Sequence, residues 1–452
     1  MSDSVPADLV SQTWLHPFQA PASVPPSADI VIIGGGIVGV STAWFLAKQG
    51  VNVVLCEKGH IAGEQSGRNW GWVRQQGRDT REMPMIVESL RIWRGLEQEI
   101  GEDVGFNERG ILSASNNDKE MNEHAEWINT TRDYNLDSRI VEGRELKDLV
   151  RGATVNWRAA IYTASDGRAE PHKAGPAIAR AAGRLGATVL SSCAVRGIDT
   201  SVGNVSGVVT EHGTIKTSVV LCAAGAWTSM FCRSLGITVP QLKVRGTVAR
   251  TAPVENMLDG AFYDRRIALR RRTDGGYTVA AGTIVDHPIT PSTFRFGLKF
   301  APALMMEIKG LHLSIGREFA EEWSAPKTWA LDKASPFEKT RVLNPKANPR
   351  VLKIIRKNLD KVFPQLASAE LVESWAGMIE TTPDVIPVID EADSIPGFYI
   401  ATGFSGHGFG IGPGAGKAIA GMLTGTDSGI PLHEFRLGRF LDGTKLEIQA
   451  SA

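Results

Sequence analysis

This sequence predicts an α/β fold in which a parallel, helix-covered sheet is interrupted by a mainly antiparallel part of α+β character. Three observations predict it. Residues 28–58 read as strand, glycine turn, helix and second strand. Residues from about 240 to 300 carry β-branched runs broken by turn signals such as Thr273-Asp274-Gly275-Gly276. A last apolar strand with a glycine-rich segment then returns near residues 398–416. Elements of the parallel layer therefore come from both ends of the chain, with the antiparallel part between them.

In ADIVIIGGGIVGVSTAWFLAKQGVNVVLCEK, an apolar strand over 29–33 meets a glycine turn and a helix that stops at Gly50. A second apolar strand over 51–56 completes a parallel βαβ unit. Residues 82–100 place Ile86, Leu90, Trp93 and Leu96 on one face of an amphipathic helix. Residues 175–190 read as a small-residue helix running into a strand, and 205–223 as strands. Residues 301–363 read as helical and charged, 398–403 as the last buried strand, and 416–423 as a helix. The expected division is a dinucleotide-type domain from 28–105, 150–240 and 370–430, and a substrate domain from 106–149 and 241–369. A helical insertion lies at about 300–365, and 1–27 form an extended lead-in.

The chain has 452 residues, with 49 Lys+Arg against 49 Asp+Glu. That balance excludes a polyanionic partner such as nucleic acid, whose binding needs a basic excess to displace counterions. Cys56, Cys193, Cys222 and Cys232 lack ligand spacing, so no metal site is expected and they read as buried small hydrophobes in a reducing compartment. No stretch reaches the length of a spanning helix, and the N-terminus lacks the pattern of a signal peptide.

Gly34, Gly36 and Gly39 form G-x-G-x-x-G between a strand and a helix. The first allows a tight turn, the second lets backbone approach a pyrophosphate, and the third lets helix and strand pack closely. Glu57 ends the next strand, where a carboxylate accepts from a ribose diol. This is a Rossmann-like dinucleotide-binding unit.

Two further blocks carry a resemblance. GEQSGRNWGWVRQQGRD (63–79) and TTPDVIPVID (381–390) followed by GFYIATGFSGHGFGIGPGAGKAIA (397–420) resemble the D-amino-acid oxidase and sarcosine oxidase superfamily, the DAO family. Within it the chain is most similar to Proteus-type L-amino acid deaminases, on EKGHIAGEQS, GTIKTSVVL, SPFEK and the closing strand. The resemblance implies FAD, with Ser66, Arg68 and Asn69 in the turn that holds the pyrophosphate, and Lys58, Val195, Gly225 and Trp227 as further cofactor contacts. Gly377 stands where monomeric sarcosine oxidases carry the cysteine that binds flavin, so FAD is expected to be non-covalent. Gly410 stands where those enzymes have a substrate-holding lysine. No N-terminal membrane helix like that of the deaminases is expected.

Seven glycines, at 403, 406, 408, 410, 412, 414 and 416, read as a loop whose N–H groups reach the N1–C2=O edge of the flavin. Gly403, Gly406, His407 and Gly408 are its expected cofactor contacts, His407 by position only. Arg270, in ALRRRTDGGY, matches the strand-turn arginine that binds substrate carboxylate in the resembling enzymes, and Arg74 is a second candidate facing the flavin. A guanidinium suits the task because its planar fork binds carboxylate bidentately.

The implied activity is oxidation of an α-amino acid by hydride transfer from Cα to the flavin. The imino acid then hydrolyses to a 2-oxo acid and ammonia, and electrons pass to oxygen or a membrane quinone chain. Two alternatives stand beside it. One is a secondary-amine enzyme acting on N-methyl or cyclic amino acids. The other is an interacting or membrane-docking flavoprotein subunit, suggested by the apolar and basic mixture over 294–315. A cytoplasmic location, peripheral to the inner membrane in the docking case, is expected; chirality and oligomeric state stay open.

Overall fold

The computed structural model describes residue 18 and residues 23–307 and 310–449, so the expected lead-in lies almost wholly outside the described residues. From the N-terminal side, strand β1 (Ile30–Ile33), helix α1 (Ile37–Lys48) and strand β2 (Val53–Cys56) lead into the short helix α2 (Gln65–Arg68) and the long helix α3 (Met83–Ile100). Strand β3 (Val219–Cys222), the strands β4 (Leu242–Thr251) and β5 (Leu371–Thr381), strand β6 (Phe398–Thr402) and helix α4 (Gly408–Thr424) follow.

The parallel layer is a six-stranded sheet in the order Val388–Glu391, β6, β3, β1, β2, Thr188–Leu190, with only the first strand antiparallel. Its central strands are buried on both faces, which is why they read as unbroken apolar runs. Ile30, Ile32, Val53 and Leu55 pack under α1, α3, α4 and the helix Pro171–Arg184. Val31, Ile33, Val54 and Cys56 face the other way, onto a three-stranded antiparallel sheet over residues 195–216. All four cysteines are buried and free.

The second part is a ten-stranded, mostly antiparallel sheet centred on β4, which pairs along its length with β5. Helix Pro349–Val362 covers one face through Val351, Ile355, Leu359 and Val362. Two segments expected in the dinucleotide part belong to this sheet instead. Ala159–Thr163 pairs with Ile111–Ser115 and Ser138–Glu142, and β5 pairs with β4. Both sit at crossings between the two parts, where strand-like sequence does not disclose the partner. Residues 291–300, expected to continue the sheet, are already helical and run on into the expected helical segment as the helix Pro291–Glu307.

The glycine-rich segment is also corrected. Only residues 403–407 form a loop, and the glycines from 408 onward lie inside α4. A β-carbon at Gly414 would stand 2.3 Å from the Met85 carbonyl oxygen on α3, and one at Gly416 2.5 Å from Ser41 Cβ on α1. These glycines let three helices approach closely. The tertiary packing they permit outweighs their poor helix propensity.

Candidate active site

The first turn of the βαβ unit is built as its spacing requires. Gly34 has φ +109°, and a β-carbon at Gly39 would meet the Gly34 carbonyl oxygen at 2.1 Å. Gly39 therefore seats α1 on β1, whereas Gly34 and Gly36 border open space.

Two chambers meet at this turn. A small one of about 100 Å³ is lined by Gly34, Glu57, Lys58, Val195 and Trp227. A large one of about 600 Å³ runs between the parallel layer and β4–β5. Gly36, Gln65, Ser66, Ala223 and Gly225 border both, forming the neck. Two chambers joined over a helix N-terminus fit an extended dinucleotide, with its pyrophosphate at the neck.

In the small chamber, the Glu57 carboxylate accepts from the Gly35 N–H at 2.8 Å and the Gly59 N–H at 2.7 Å. Burial raises its pKa, against the pull of Lys58 and these two N–H groups. It braces the turn at the chamber wall where a ribose diol would donate to it. Lys58 is less available, because its ammonium donates to Glu64 and to the Thr340 and Arg341 carbonyls while lying 4.5 Å from the Trp227 ring centre. It shapes the wall and clamps Trp227.

At the neck, Ser66 Oγ accepts from the Ile37 N–H at the start of α1. Asn69 ties the turn internally, donating to the Ser66 carbonyl and accepting from the Gly71 N–H. Arg68 crosses to β5, donating to the Ala376 carbonyl and to Asn344. Glu380 on β5, which the sequence reading passed over, accepts from Gln65 at 2.8 Å and the Gly403 N–H at 3.0 Å. Burial pushes its carboxyl up.

Gly36, Ser66, Arg68, Asn69, Arg74, Gly225, Gly377, Gly406, His407 and Gly408 all line the large chamber. Gly403 does not; it packs against Thr382. Along β4, Leu242, Val244, Gly246 and Val248 supply the apolar wall, as the two-residue period of a strand requires. The N-terminus of α4 begins at Gly408 in the chamber wall, a setting that favours negative charge on a reduced flavin.

Arg270 departs from expectation. Its side chain is 1% exposed and lines neither chamber. Its fork donates to both oxygens of Glu170 at 2.9 and 3.1 Å, and also to the Ala169 carbonyl and Thr278 Oγ1. Burial works to raise the Glu170 carboxyl, but the charge and hydrogen bonds of Arg270, with Arg272 and the Thr273 N–H, hold it well below the usual range. The guanidinium lies behind Gly71 with both Nη groups committed to Glu170, Ala169 and Thr278, and its one unpartnered nitrogen, Nε, is buried away from both chambers.

The cationic side chains that do reach the large chamber are Arg68, Arg74 and Arg78. Arg74 donates to the Gln76 carbonyl and packs 5.7 Å from the Trp72 ring centre. Arg78, absent from the expected set, donates through Nε to the Arg74 carbonyl, and its Nη1 is buried without a partner. Burial and then the charge of Arg74 pull it down to about 9, against Glu82 and Asp166, so it stays protonated at neutral pH. Asp166 holds the Gln75 and Gln76 N–H groups at 2.7 and 3.1 Å, fixing the bend that aims both arginines. Burial pushes Asp166 up to about 7, against these N–H groups and both arginines. The four-residue spacing of Arg74 and Arg78 was a legible signal, but their convergence comes from the bend.

The fold and the joined chambers fit a dinucleotide-dependent oxidoreductase. The chain belongs to the FAD dependent oxidoreductase family, DAO, which it matches over residues 29–422. It is 27% identical to human mitochondrial sarcosine dehydrogenase over 92% of this chain, which spans 42% of that protein's length. With the sarcosine oxidase beta subunit of Arthrobacter sp it shares 24% identity over 94% of both chains. Among solved structures, the L-amino acid deaminase of Proteus myxofaciens in complex with anthranilate is 33% identical, with a TM-score of 0.91 over 94% of this chain and 96% of that one. The L-proline dehydrogenase of P. horikoshii is 25% identical with a TM-score of 0.76, over 94% of this chain and all of that one. FAD is the cofactor of this family, and the two chambers fit it.

Removing the Glu57 carboxylate is therefore expected to weaken FAD. Glu57→Ala should raise the flavin Kd by about tenfold to a hundredfold, the worth of a hydrogen bond to a charged group, in a fluorescence titration.

Proposed function

We propose that the chain oxidises an α-amino acid, primary or secondary, at its C–N bond, with the substrate carboxylate held by Arg74 and Arg78. The observation that carries this reading is Arg78, which lines the large chamber beside Arg74 and whose buried Nη1 has no partner among the described residues. A buried guanidinium with a free donor is costly, and a bidentate carboxylate satisfies it. Sarcosine, proline and L-amino acids, named in the matching proteins, share that carboxylate beside an amine.

Bound FAD supplies a two-electron acceptor for the hydride from Cα. The chain's own residues do the positioning. Arg74 and Arg78 fix the carboxylate, and hence the α-carbon, at the end of the chamber nearest α4. Leu242, Val244 and Val248 give the substrate side chain an apolar wall and keep water off. A β-carbon at Gly377 would stand 3.3 Å from Arg68 Cβ, and the glycine offers no thiol there, which supports a non-covalently held FAD. Acid precipitation should release it into the supernatant.

The testing experiment is anaerobic bleaching of the flavin by panels of L-, D- and N-methyl amino acids. Bleaching by primary amino acids supports the main reading, and bleaching by N-methyl or cyclic ones alone supports the secondary-amine reading. No bleaching by any of them sinks both. Peroxide formed on readmitting air distinguishes oxygen from a quinone chain as acceptor.

One observation favours peripheral membrane contact in a cytoplasmic protein. Phe294, Leu298 and Met305 on the helix Pro291–Glu307, with Ile315 and Trp323 beyond it, are exposed, Leu298 at 96%. Among the described residues no helix is long and apolar enough to cross a membrane. The protein is expected to float with anionic liposomes, and Leu298→Glu with Met305→Glu to abolish flotation. Flotation unaffected by both changes ends the docking reading.

A further inference from the structure

His407 stands at the N-terminus of α4, in the wall of the large chamber. Its Nδ1 lies 3.0 Å from Oε2 of Glu82, whose side chain is fully buried. A carboxylate only accepts, so Nδ1 carries the proton and Nε2 carries the lone pair. Nε2 makes no hydrogen bond among the described residues. The charged groups facing the ring are Arg74 and Arg78 on the segment 72–79 and Glu82 on the turn Thr80–Glu82.

We propose that His407 Nε2 is the base that takes the proton from the ammonium group of the bound substrate. This rests on the reading that Arg74 and Arg78 hold an amino acid carboxylate. An amino acid arrives with a protonated amine, which has no lone pair to form a C=N bond. One N–H bond of the ammonium breaks and an Nε2–H bond forms. The freed lone pair then forms the C=N bond as the Cα–H bond breaks, and that hydrogen leaves with its electron pair to the flavin. The imine later adds water to release ammonia.

Charge makes the transfer accessible. Burial and the charge of Arg78 lower the imidazole pKa, against Glu82. Docking a carboxylate on Arg78 neutralises the charge that depresses His407 and raises its proton affinity. The ammonium, desolvated beside two guanidiniums, loses proton affinity at the same time. The two affinities converge only when the substrate carboxylate is in place. Glu82 is a positioning residue, fixing the tautomer.

Two measurements test this. The first is stopped-flow bleaching by an amino acid that reduces the unaltered holoenzyme, between about pH 6 and 10. The unaltered limiting rate should be level above neutrality and fall as pH drops through the imidazole pKa. His407→Asn should be slowed about a hundredfold at neutral pH and regain rate about tenfold per pH unit toward the free amine's pKa. A parallel loss at every pH, or an unchanged profile, overturns the proposal.

The second needs no turnover. Benzoate, a carboxylate without an amine, should bind the unaltered holoenzyme more tightly as pH falls through the imidazole pKa, because each raises the other's affinity. In His407→Asn the benzoate Kd should lose this pH dependence while the flavin spectrum is retained. A benzoate Kd with the same pH dependence in both proteins overturns the role of His407. Glu82→Gln, with the imidazole kept, should show the same bleaching defect in weaker form; a normal profile there counts against the pair. If no amino acid bleaches the unaltered protein, the functional reading itself fails and this role with it.

Discussion

Replacing Arg78 with alanine is expected to raise KM for the amino acid by about two to three orders of magnitude while FAD stays bound. The size follows from what is removed. A carboxylate docked on a desolvated guanidinium loses about 2–5 kcal/mol when the partner is truncated, and about 1.4 kcal/mol is a factor of ten. The Arg78 side chain contributes little to holding the fold, since among the described residues it makes one long hydrogen bond, from Nε to the Arg74 carbonyl, and its Nη1 is unpaired. The effect should therefore appear in substrate kinetics and not in the denaturation midpoint. Arg78→Lys should recover only part of it, because an ammonium cannot reproduce the planar fork. Titration of the flavin spectrum with benzoate checks the same point without turnover. An unchanged benzoate Kd in Arg78→Ala would remove the carboxylate from this site.

The opposite pattern is expected at Arg270. Arg270→Leu leaves the Glu170 carboxylate, 0% exposed, without its bidentate partner, and Glu170→Gln leaves the guanidinium without its counter-charge. Breaking one side of a buried pair costs about 3–5 kcal/mol, whereas replacing both partners by apolar groups of similar volume is often close to neutral. The double variant Arg270→Met, Glu170→Leu should thus be more stable in urea than either single variant. In protein that folds, KM should stay within about threefold of the unaltered value, as expected for a residue that does not touch the substrate. A large rise in KM at full stability would return Arg270 to the substrate site. The pair sits behind Gly71, so a modest loss of FAD affinity through the Trp70–Trp72 turn is the one indirect effect expected.

How much was legible before the structure varies by element. The βαβ unit was readable because each feature is local: β1 and β2 are apolar runs, and Gly34, Gly36 and Gly39 answer to a turn that spans a few residues. Glu57 was placed by its distance along the chain from that turn, and it lines the small chamber. The glycines of α4 misled because glycine has the same cause in a loop and at a helix crossing, namely the absence of a side chain. Only the positions of α1 and α3 tell the two apart. β5 misled in a related way, since an alternating strand does not say which strand it will pair with.

The arginines show the limit most clearly. By composition and local context Arg270, Arg74 and Arg78 are alike: each sits next to a turn, and each could present a fork to a carboxylate. What separates them is whether a buried acid hydrogen-bonds the guanidinium itself. Glu170, a hundred residues away in the chain, meets both nitrogens of Arg270 and cancels it. Asp166 instead spends its oxygens on the Gln75 and Gln76 N–H groups, leaving Arg74 and Arg78 charged at the chamber wall. The sequence by itself determined the α/β class, the dinucleotide turn and the family, because these rest on short-range spacing and apolar periodicity. Which arginine is free, which glycines pack helices, and that His407 has Glu82 behind it were decided by tertiary structure alone. Charge pairing and close packing depend on partners that the chain brings together only when it folds.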